Sequence, residues 1–193
     1  MKFKVLLIGL FIFMGMALKA QTKKEQEFRI DEELFPTNAA EVLRPFLTGT
    51  KRIRYYKEFD GEKVSYEAKF KKDRLRYSIE FDQNGNLEDA EFIIKSADIP
   101  DSTFETIKNH LESNHQKYRI KKIQQQYPCK TGNASEVLKT AFQNLILPEI
   151  NYEIIIASKD DSGYVEHEVT FNADGEYILS RRLVKQGYDH VLY

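Results

Sequence analysis

The chain of 193 residues contains a single cysteine, Cys129, and no tryptophan. One cysteine excludes an internal disulfide, so a hydrophobic core has to supply the stability. Such a core is feasible, because 13 Phe and 11 Tyr are present and the chain is long enough for one domain or two small repeats. Cys129 follows Pro128 in a predicted loop, where we interpret it as an incidental thiol, with a reactive thiol as the alternative.

An excess of basic charge is also missing, since 29 Lys and Arg face 30 Asp and Glu. Nucleic-acid-binding domains normally carry a strongly basic face, so this balance argues against a nucleic-acid partner. Removal of residues 1–20 would take away Lys2, Lys4 and Lys19 and lower the formal net charge from −1 to about −4. The mild acidity that results excludes no other class of partner.

Long apolar runs are absent after the first residues. The one at the start extends from Val5 to about Met16 and follows two lysines, the order of a secretory signal. We predict a signal peptide over residues 1–20, cut after Ala20, with a cut after Ala17 as the alternative. The run is short for a bilayer span and no cysteine lies near the cut, which argues against a retained anchor and a lipoprotein. We therefore expect a periplasmic or secreted protein without a membrane span after signal removal.

Residues 21–33 are charged and lack periodicity, which predicts a flexible lead-in. Apolar residues at helical spacing then predict a helix from Thr37 to Leu47. Turn dipeptides, Asp60-Gly61 and Asn84-Gly85, separate the strands that follow. Residues 74–82 alternate most clearly between apolar and polar side chains, as in a sheet with one wet face. The predicted strands are Lys51–Phe59, Lys63–Lys71, Arg74–Asp82 and Asn86–Lys95.

The same pattern returns in the second half. A helix opens at Pro100, and the FNADG of Phe171–Gly175 matches the FDQNG of Phe81–Gly85, which aligns Tyr77 with His167. An insert with an amphipathic stretch predicts an extra helix over residues 133–146. The second set of strands is Tyr118–Tyr127, Asn151–Ser158, Tyr164–Asn172 and Glu176–Val184.

These patterns predict an α+β fold built from two helix-plus-four-strand repeats, residues 34–97 and 98–185, followed by a C-terminal tail, residues 186–193. We expect a mainly antiparallel sheet of about eight strands, with the helices packed on one face and the extra helix inserted in the second repeat.

The DIP of Asp98–Pro100, the YEAKF of Tyr66–Phe70 and the paired FDQNG and FNADG turns resemble the PepSY-like exported bacterial proteins. Their fold is similar to that of the β-lactamase inhibitory proteins. The resemblance covers nearly all of residues 34–185 and implies a tandem helix-on-sheet architecture and an exported location. It also implies binding of other proteins, sometimes proteases, through the sheet surface, and it supplies no catalytic motif.

Candidate chemistry is sparse. Glu166 and Glu168 share a strand face about 7 Å apart and could form an acid–base pair, but an ordinary solvated strand has the same pattern. His110 and His115 are five residues apart on a helix, which places them on different sides of it. No nucleophile elbow, phosphate-binding glycine loop or Cys–His pair is present. The sequence therefore predicts a protein that is not an enzyme and that has neither a cofactor nor a metal.

Asp82, Asn84, Asn86 and Glu88 alternate like calcium ligands, but Gly85 stands at the fourth position of the stretch where a calcium loop has its glycine at the sixth. A hairpin turn explains this stretch better. His167 is interpreted as a half-buried spacer in its strand.

The charged face of the first repeat is the best candidate for recognition. Polar residues on neighbouring strands should share this face, although a solvated surface with salt bridges is the more common explanation of such a pattern. The candidate binding residues are Arg54, Tyr56, Glu67, Lys69, Arg76 and Glu80.

We hypothesise an exported binding module that engages a protein partner of the envelope through this face, in an inhibitory or regulatory way. The alternative is a periplasmic carrier of a small ligand, held in an apolar pocket between helices and sheet. No oligomeric state is indicated.

Overall fold

The computed structural model describes residues 21–130, 132–160 and 163–184. The predicted signal peptide, residues 1–20, and the predicted tail, residues 186–193, lie outside the described residues. In the ranges that are described, no helix combines the length and the apolar character that a membrane crossing requires.

Three short helices and ten strands make up the described chain. The helices are α1 (Thr37–Leu43), α2 (Asp101–Asn114) and α3 (Ala134–Phe142). The strands are β1 (Gln21–Lys23), β2 (Glu25–Ile30), β3 (Lys51–Asp60), β4 (Lys63–Lys72), β5 (Leu75–Asp82), β6 (Leu87–Ile94), β7 (Tyr118–Pro128), β8 (Asn151–Asp160), β9 (Gly163–Asn172) and β10 (Tyr177–Leu183).

All ten strands belong to one sheet, in the order β1-β10-β9-β8-β7-β6-β5-β4-β3-β2. Neighbouring strands are antiparallel, except that β1 runs parallel to β10. Only Lys24 separates β1 from β2 along the chain, so the two edges of the sheet meet there. At this seam the Lys24 backbone N–H donates to Asp60 Oδ1 at 2.9 Å. The sheet is therefore nearly closed, like a barrel.

The predicted fold class, about eight strands from two helix-plus-four-strand repeats, is wrong. The additional strands come from residues 21–33, which were expected to be a flexible lead-in and instead form β1 and β2. This short charged segment has no core of its own. It pairs with two sheet edges, whose backbone N–H and C=O groups need partners. Long-range pairing thus overrides the local signs of disorder.

The outer face of the sheet carries the hydrophobic core. Leu43 of α1, Ile107 of α2 and Leu138 of α3 are fully buried in one cluster with apolar side chains of the strands. Phe142 at the end of α3 stacks on Tyr77 with ring centroids 4.8 Å apart and on Phe70 at 6.1 Å. Burial of a large apolar side chain stabilises the fold by about 1.5–3 kcal/mol, so this layer dominates the stability.

The two matching turns are docked onto helices. Asp82 Oδ1 accepts hydrogen bonds from two backbone N–H groups of the β5–β6 turn, and Asn172 Oδ1 does the same in the β9–β10 turn. Gly85 has a φ of 77° and lies so close to α1 that an added Cβ would be 2.2 Å from Asn38 Oδ1. Gly175 has a φ of 83° and approaches α2 in the same way, 2.5 Å from the Thr103 carbonyl oxygen. The hairpin interpretation of the first turn is confirmed.

Candidate functional site

The curled sheet encloses a polar cavity of about 250 Å³, here called the interior cavity. Each of the ten strands contributes at least one lining side chain, which shows that the cavity is the inside of the barrel-like sheet. The lining contains ten carboxyl groups and five cationic groups. The carboxyls belong to Glu25, Glu27, Glu58, Asp60, Glu67, Glu80, Asp89, Glu91, Glu153 and Glu168, and the cations to Lys23, Lys63, Lys69, Lys122 and Arg181.

Paired charges hold the seam of the barrel. Glu168 on β9 is 2% exposed and accepts a hydrogen bond from Lys23 Nζ of β1 at 3.0 Å and another from Arg181 Nε of β10 at 2.9 Å. Burial by itself would raise the pKa of Glu168, but the two cations outweigh it and lower that pKa below its ordinary value. Burial would lower the pKa of Lys23, and Glu168 together with Glu25 raises it instead. Both groups stay charged, and their attraction ties β1 to the sheet.

A second group of charges surrounds the ammonium of Lys69. Glu27, Glu58 and Glu67 bring carboxylate oxygens within 4.8 Å of one another. Lys69 Nζ lies 2.7 Å from Glu67 Oε2 and 3.8 Å from Glu58 Oε1, and it also pairs with Glu27. Burial, followed by a hydrogen bond with Glu67, raises the pKa of Glu58 far above its ordinary value. The raised pKa favours the neutral acid form of Glu58, and Lys69 offsets the charge of Glu27 and Glu67.

A third group of charges surrounds Glu153 and, among the described residues, has no cation in contact with it, unlike the group around Lys69. Glu153 on β8 is 7% exposed, and no described residue gives its carboxylate a hydrogen bond or an ion pair. Burial, and then the charge of Glu168, raises its pKa to about 7. Its neighbour across the strands, Gln124, is 5% exposed and also has no partner for Oε1 in the described part of the chain. Gln124 Nε2 donates to Glu91, whose pKa is raised well above its ordinary value by burial and then by Glu153.

A groove of about 380 Å³ shares part of its wall with the interior cavity and is called the basic groove below. The described residues that line it include six cationic side chains and no carboxylate. Five of the six, all but Lys69, form no hydrogen bond or ion pair with a described residue. The cationic side chains are Arg52, Arg54, Lys69, Lys71, Arg76 and Lys122.

The structure divides the predicted binding residues between these two sites. Four of them line the basic groove, namely Arg54, Tyr56, Lys69 and Arg76. Glu67 and Glu80 line the interior cavity instead, together with Lys69, which faces both. Glu67 is 7% exposed and accepts from the Ser78 hydroxyl, so it is not the solvated surface residue that the alternation suggested.

The second half of the site is not among the predicted residues. Lys122, Gln124, Glu153 and Arg181 were not predicted, and Glu168 was weighed as an acid–base partner of Glu166 and interpreted as a solvated strand residue. A partial signal was present in β9, where Glu168 and Thr170 alternate with Val169 and Phe171. In β7 the run Gln124–Gln126 interrupts the alternation. Alternation identifies the polar face but does not show that the face is turned inward.

Other candidate groups lie apart from these sites. His115 and His167 have ring centroids 5.6 Å apart, whereas His110 stacks on Tyr177 at 4.6 Å. Within the described residues, the carboxylates around Lys69 are the one group of three or more metal-ligating side chains that is compact enough for an ion. Burial raises the pKa of the half-buried Cys129 thiol, which favours the incidental interpretation.

Comparison with known proteins identifies the fold. No family profile and no curated protein matches the sequence. Among solved structures, a BLIP-like protein from Bacteroides fragilis is similar, with a TM-score of 0.52 and 13% identity over 81% of this chain and 93% of that one. A DUF2874 family protein from Bacteroides ovatus has a TM-score of 0.53 and 12% identity, with the same coverage. A proposed periplasmic protein from Bacteroides eggerthii reaches 0.54 at 10% identity over 80% of this chain and 93% of that one.

These similarities show that the chain has the BLIP-like fold, as its resemblance to the β-lactamase inhibitory proteins implied. The PepSY-like part of the resemblance stays a prediction. At these identities the shared fold carries no information about activity or partners.

Proposed function

We propose that this protein is a non-catalytic binding module of the bacterial envelope, periplasmic or secreted, whose basic groove holds an acidic segment of another protein. The observation that carries the proposal is the lining of the groove, with six cationic side chains and no carboxylate among the described residues. Like charges held close together repel, so a protein gains from a partner that neutralises them.

The cationic groups of the groove are available for contact. Arg54 and Arg76 are exposed, and neither forms an ion pair with a described residue. A guanidinium offers a planar pair of donors that fits a carboxylate in two parallel hydrogen bonds. Tyr56 adds an aromatic face, over which Lys69 Nζ already lies at 4.9 Å from the ring centroid. The groove thus combines charge with an aromatic side chain, as recognition sites commonly do.

Backbone strain occurs at the edge of the groove, as it also does at Asp73 and Arg74 in the β4–β5 turn. Arg52 has a φ of 60°, and the pairing of β3 with β4 shifts register between Lys51 and Arg54. A left-handed conformation of a residue other than glycine costs about 1 kcal/mol or more, and such strain clusters with β-bulges at functional sites. The bulge directs additional positive charge toward the groove.

The exported location and the inhibitory or regulatory role are supported by other observations. The predicted signal peptide supports export, and one protein of similar fold is a proposed periplasmic protein. The resemblance to inhibitory proteins supports an inhibitory or regulatory outcome of binding. The alternative of an apolar carrier pocket between helices and sheet has less support, because Phe142, Phe70 and Tyr77 fill part of that space with stacked rings. The cleft of about 350 Å³ that remains between α3 and β7 is lined by Lys130, Glu136 and Glu149 as well as by apolar side chains.

The test is binding of a fluorescently labelled deca-glutamate peptide, followed by anisotropy. The double variant Arg54→Glu, Arg76→Glu should weaken binding at least tenfold, and added salt should weaken binding to the original protein. Arg74→Glu is the matched control, because Arg74 is exposed on the β4–β5 turn outside the groove. Arg52→Gly should also weaken binding while the protein gains stability, since glycine accepts the positive φ.

Absence of saturable peptide binding, or an equal loss in Arg74→Glu, would refute the groove as the recognition surface. A photo-crosslinking residue at Tyr56 in envelope extract then identifies the natural partner. The proposal requires that partner to contribute an acidic segment at the crosslink.

A further inference from the structure

The interior cavity contains two acidic groups that differ in one respect. Around Lys69, three carboxyls from Glu27, Glu58 and Glu67 already surround an ammonium supplied by the chain itself. An ammonium donates three hydrogen bonds, so three carboxyls around it match its donors. The group around Lys69 thus shows that the interior accommodates an ammonium. Around Glu153, no described residue places an ammonium or a guanidinium in contact with the carboxylate.

Three cations act on the charge of Glu153 from a distance. Lys23 and Arg181 both contact Glu168. Lys122 lines both the interior cavity and the basic groove and forms no ion pair with Glu153. The buried Oε1 of Gln124, on the strand beside Glu153, likewise has no partner in the described part of the chain. A buried carboxylate without a partner is costly, and either protonation or a bound cation removes the cost.

The surroundings favour a cation over an anion. The lining holds twice as many carboxyls as cationic groups. Burial, and then neighbouring carboxyls that include Glu153, raise the pKa of Asp89 and of Glu91. A volume of about 250 Å³ holds on the order of eight waters, which is room for a small organic molecule. A metal ion needs ligands packed more closely, and in the described chain only the group filled by Lys69 is that compact.

We infer that the interior cavity binds a small organic cation with a primary ammonium group, held by the Glu153 carboxylate and the Gln124 amide oxygen. The ammonium takes the place at Glu153 that Lys69 takes in the other acidic group. Because Glu153 lines the interior cavity and not the basic groove, loss of amine binding and loss of peptide binding are separate outcomes.

Isothermal titration calorimetry of the full chain with putrescine and with n-butylamine at pH 8 and low salt tests this inference. We expect saturable binding of at least one of the two amines with a stoichiometry of one, and none of 1,4-butanediol, which has a similar size without the charge. Glu153→Gln should weaken amine binding at least tenfold. Glu41→Gln, an exposed position on α1, should leave it unchanged.

Three results would overturn the inference. They are the absence of saturable binding of both amines, equal affinity in Glu153→Gln, and binding of calcium chloride in preference to the amines with the same dependence on Glu153. Circular dichroism of the variants confirms that each is folded, which keeps a negative result interpretable.

Discussion

Val169 and Glu168 are neighbours on strand β9, and both are almost completely buried, at 1% and 2% exposed. Val169 faces outward into the helix-covered core, whereas Glu168 faces inward and is held by Lys23 and Arg181. The outer face of the sheet is thus buried by apolar packing against the helices. The inner face is buried because the sheet is nearly closed around its charged side chains. Packing depends little on pH, whereas paired charge depends strongly on it, so the two faces should respond differently.

The largest expected effect comes from Glu168→Gln. It leaves the charges of Lys23 and Arg181 without their buried partner and should lower the free energy of unfolding by about 3 kcal/mol at pH 7. Val169→Ala, the matched change on the outer face, should cost about 2 kcal/mol through lost packing.

Their pH dependence separates the two variants. The pKa of Glu168 is lowered in the folded state, so its stabilisation is present above its ordinary pKa of 4.5 and is lost as the pH falls through the folded-state value. Urea denaturation at pH 7 and at pH 3 should show the Glu168→Gln deficit shrinking and the Val169→Ala deficit persisting. A Glu168→Gln deficit that does not change with pH would contradict the assignment to paired charge.

Glu153→Gln should raise the free energy of unfolding, whereas Glu168→Gln lowers it. The pKa of Glu153 is raised to about 7 from 4.5, so its stabilising contribution is present below pH 4.5 and lost as the pH rises through 7. Glutamine does not ionise, so the variant should match the original protein near pH 4 and exceed its stability by about 2 kcal/mol at pH 8. Thermal denaturation across this range measures the difference, and a variant less stable at pH 8 would show that Glu153 has a partner.

The smallest expected effect concerns a polar atom on the outer face. Tyr152 Oη is buried without a hydrogen-bond partner among the described residues, so Tyr152→Phe should stabilise the protein by about 1 kcal/mol or less. Tyr127→Phe is the control, because Tyr127 Oη donates to the Leu145 carbonyl at 3.0 Å and its loss should destabilise. Two shifts of the same sign in the melting temperature would argue against this difference in hydrogen bonding.

Local patterns in the sequence were sufficient for individual elements. The period-two alternation of β5 separates Tyr77, Ile79 and Phe81 from Ser78 and Glu80, as the structure does. Asn133, the first residue of the predicted inserted helix, caps α3 by accepting a hydrogen bond from the Glu136 backbone N–H. Such features depend on contacts within a few residues, where side-chain chemistry and backbone geometry act directly.

For this protein, sequence alone determined which side chains share a face of a strand, Arg54, Tyr56, Lys69 and Arg76 among them, and where turns and helices begin. It did not determine that the polar face encloses a cavity, or that Glu153 and Glu168 are buried. Those outcomes follow from β1 pairing with β10 and β2 pairing with β3, and in the first pair Gln21 meets Arg181. The alternation is identical in an open and a closed sheet, and only pairing between distant segments distinguishes them.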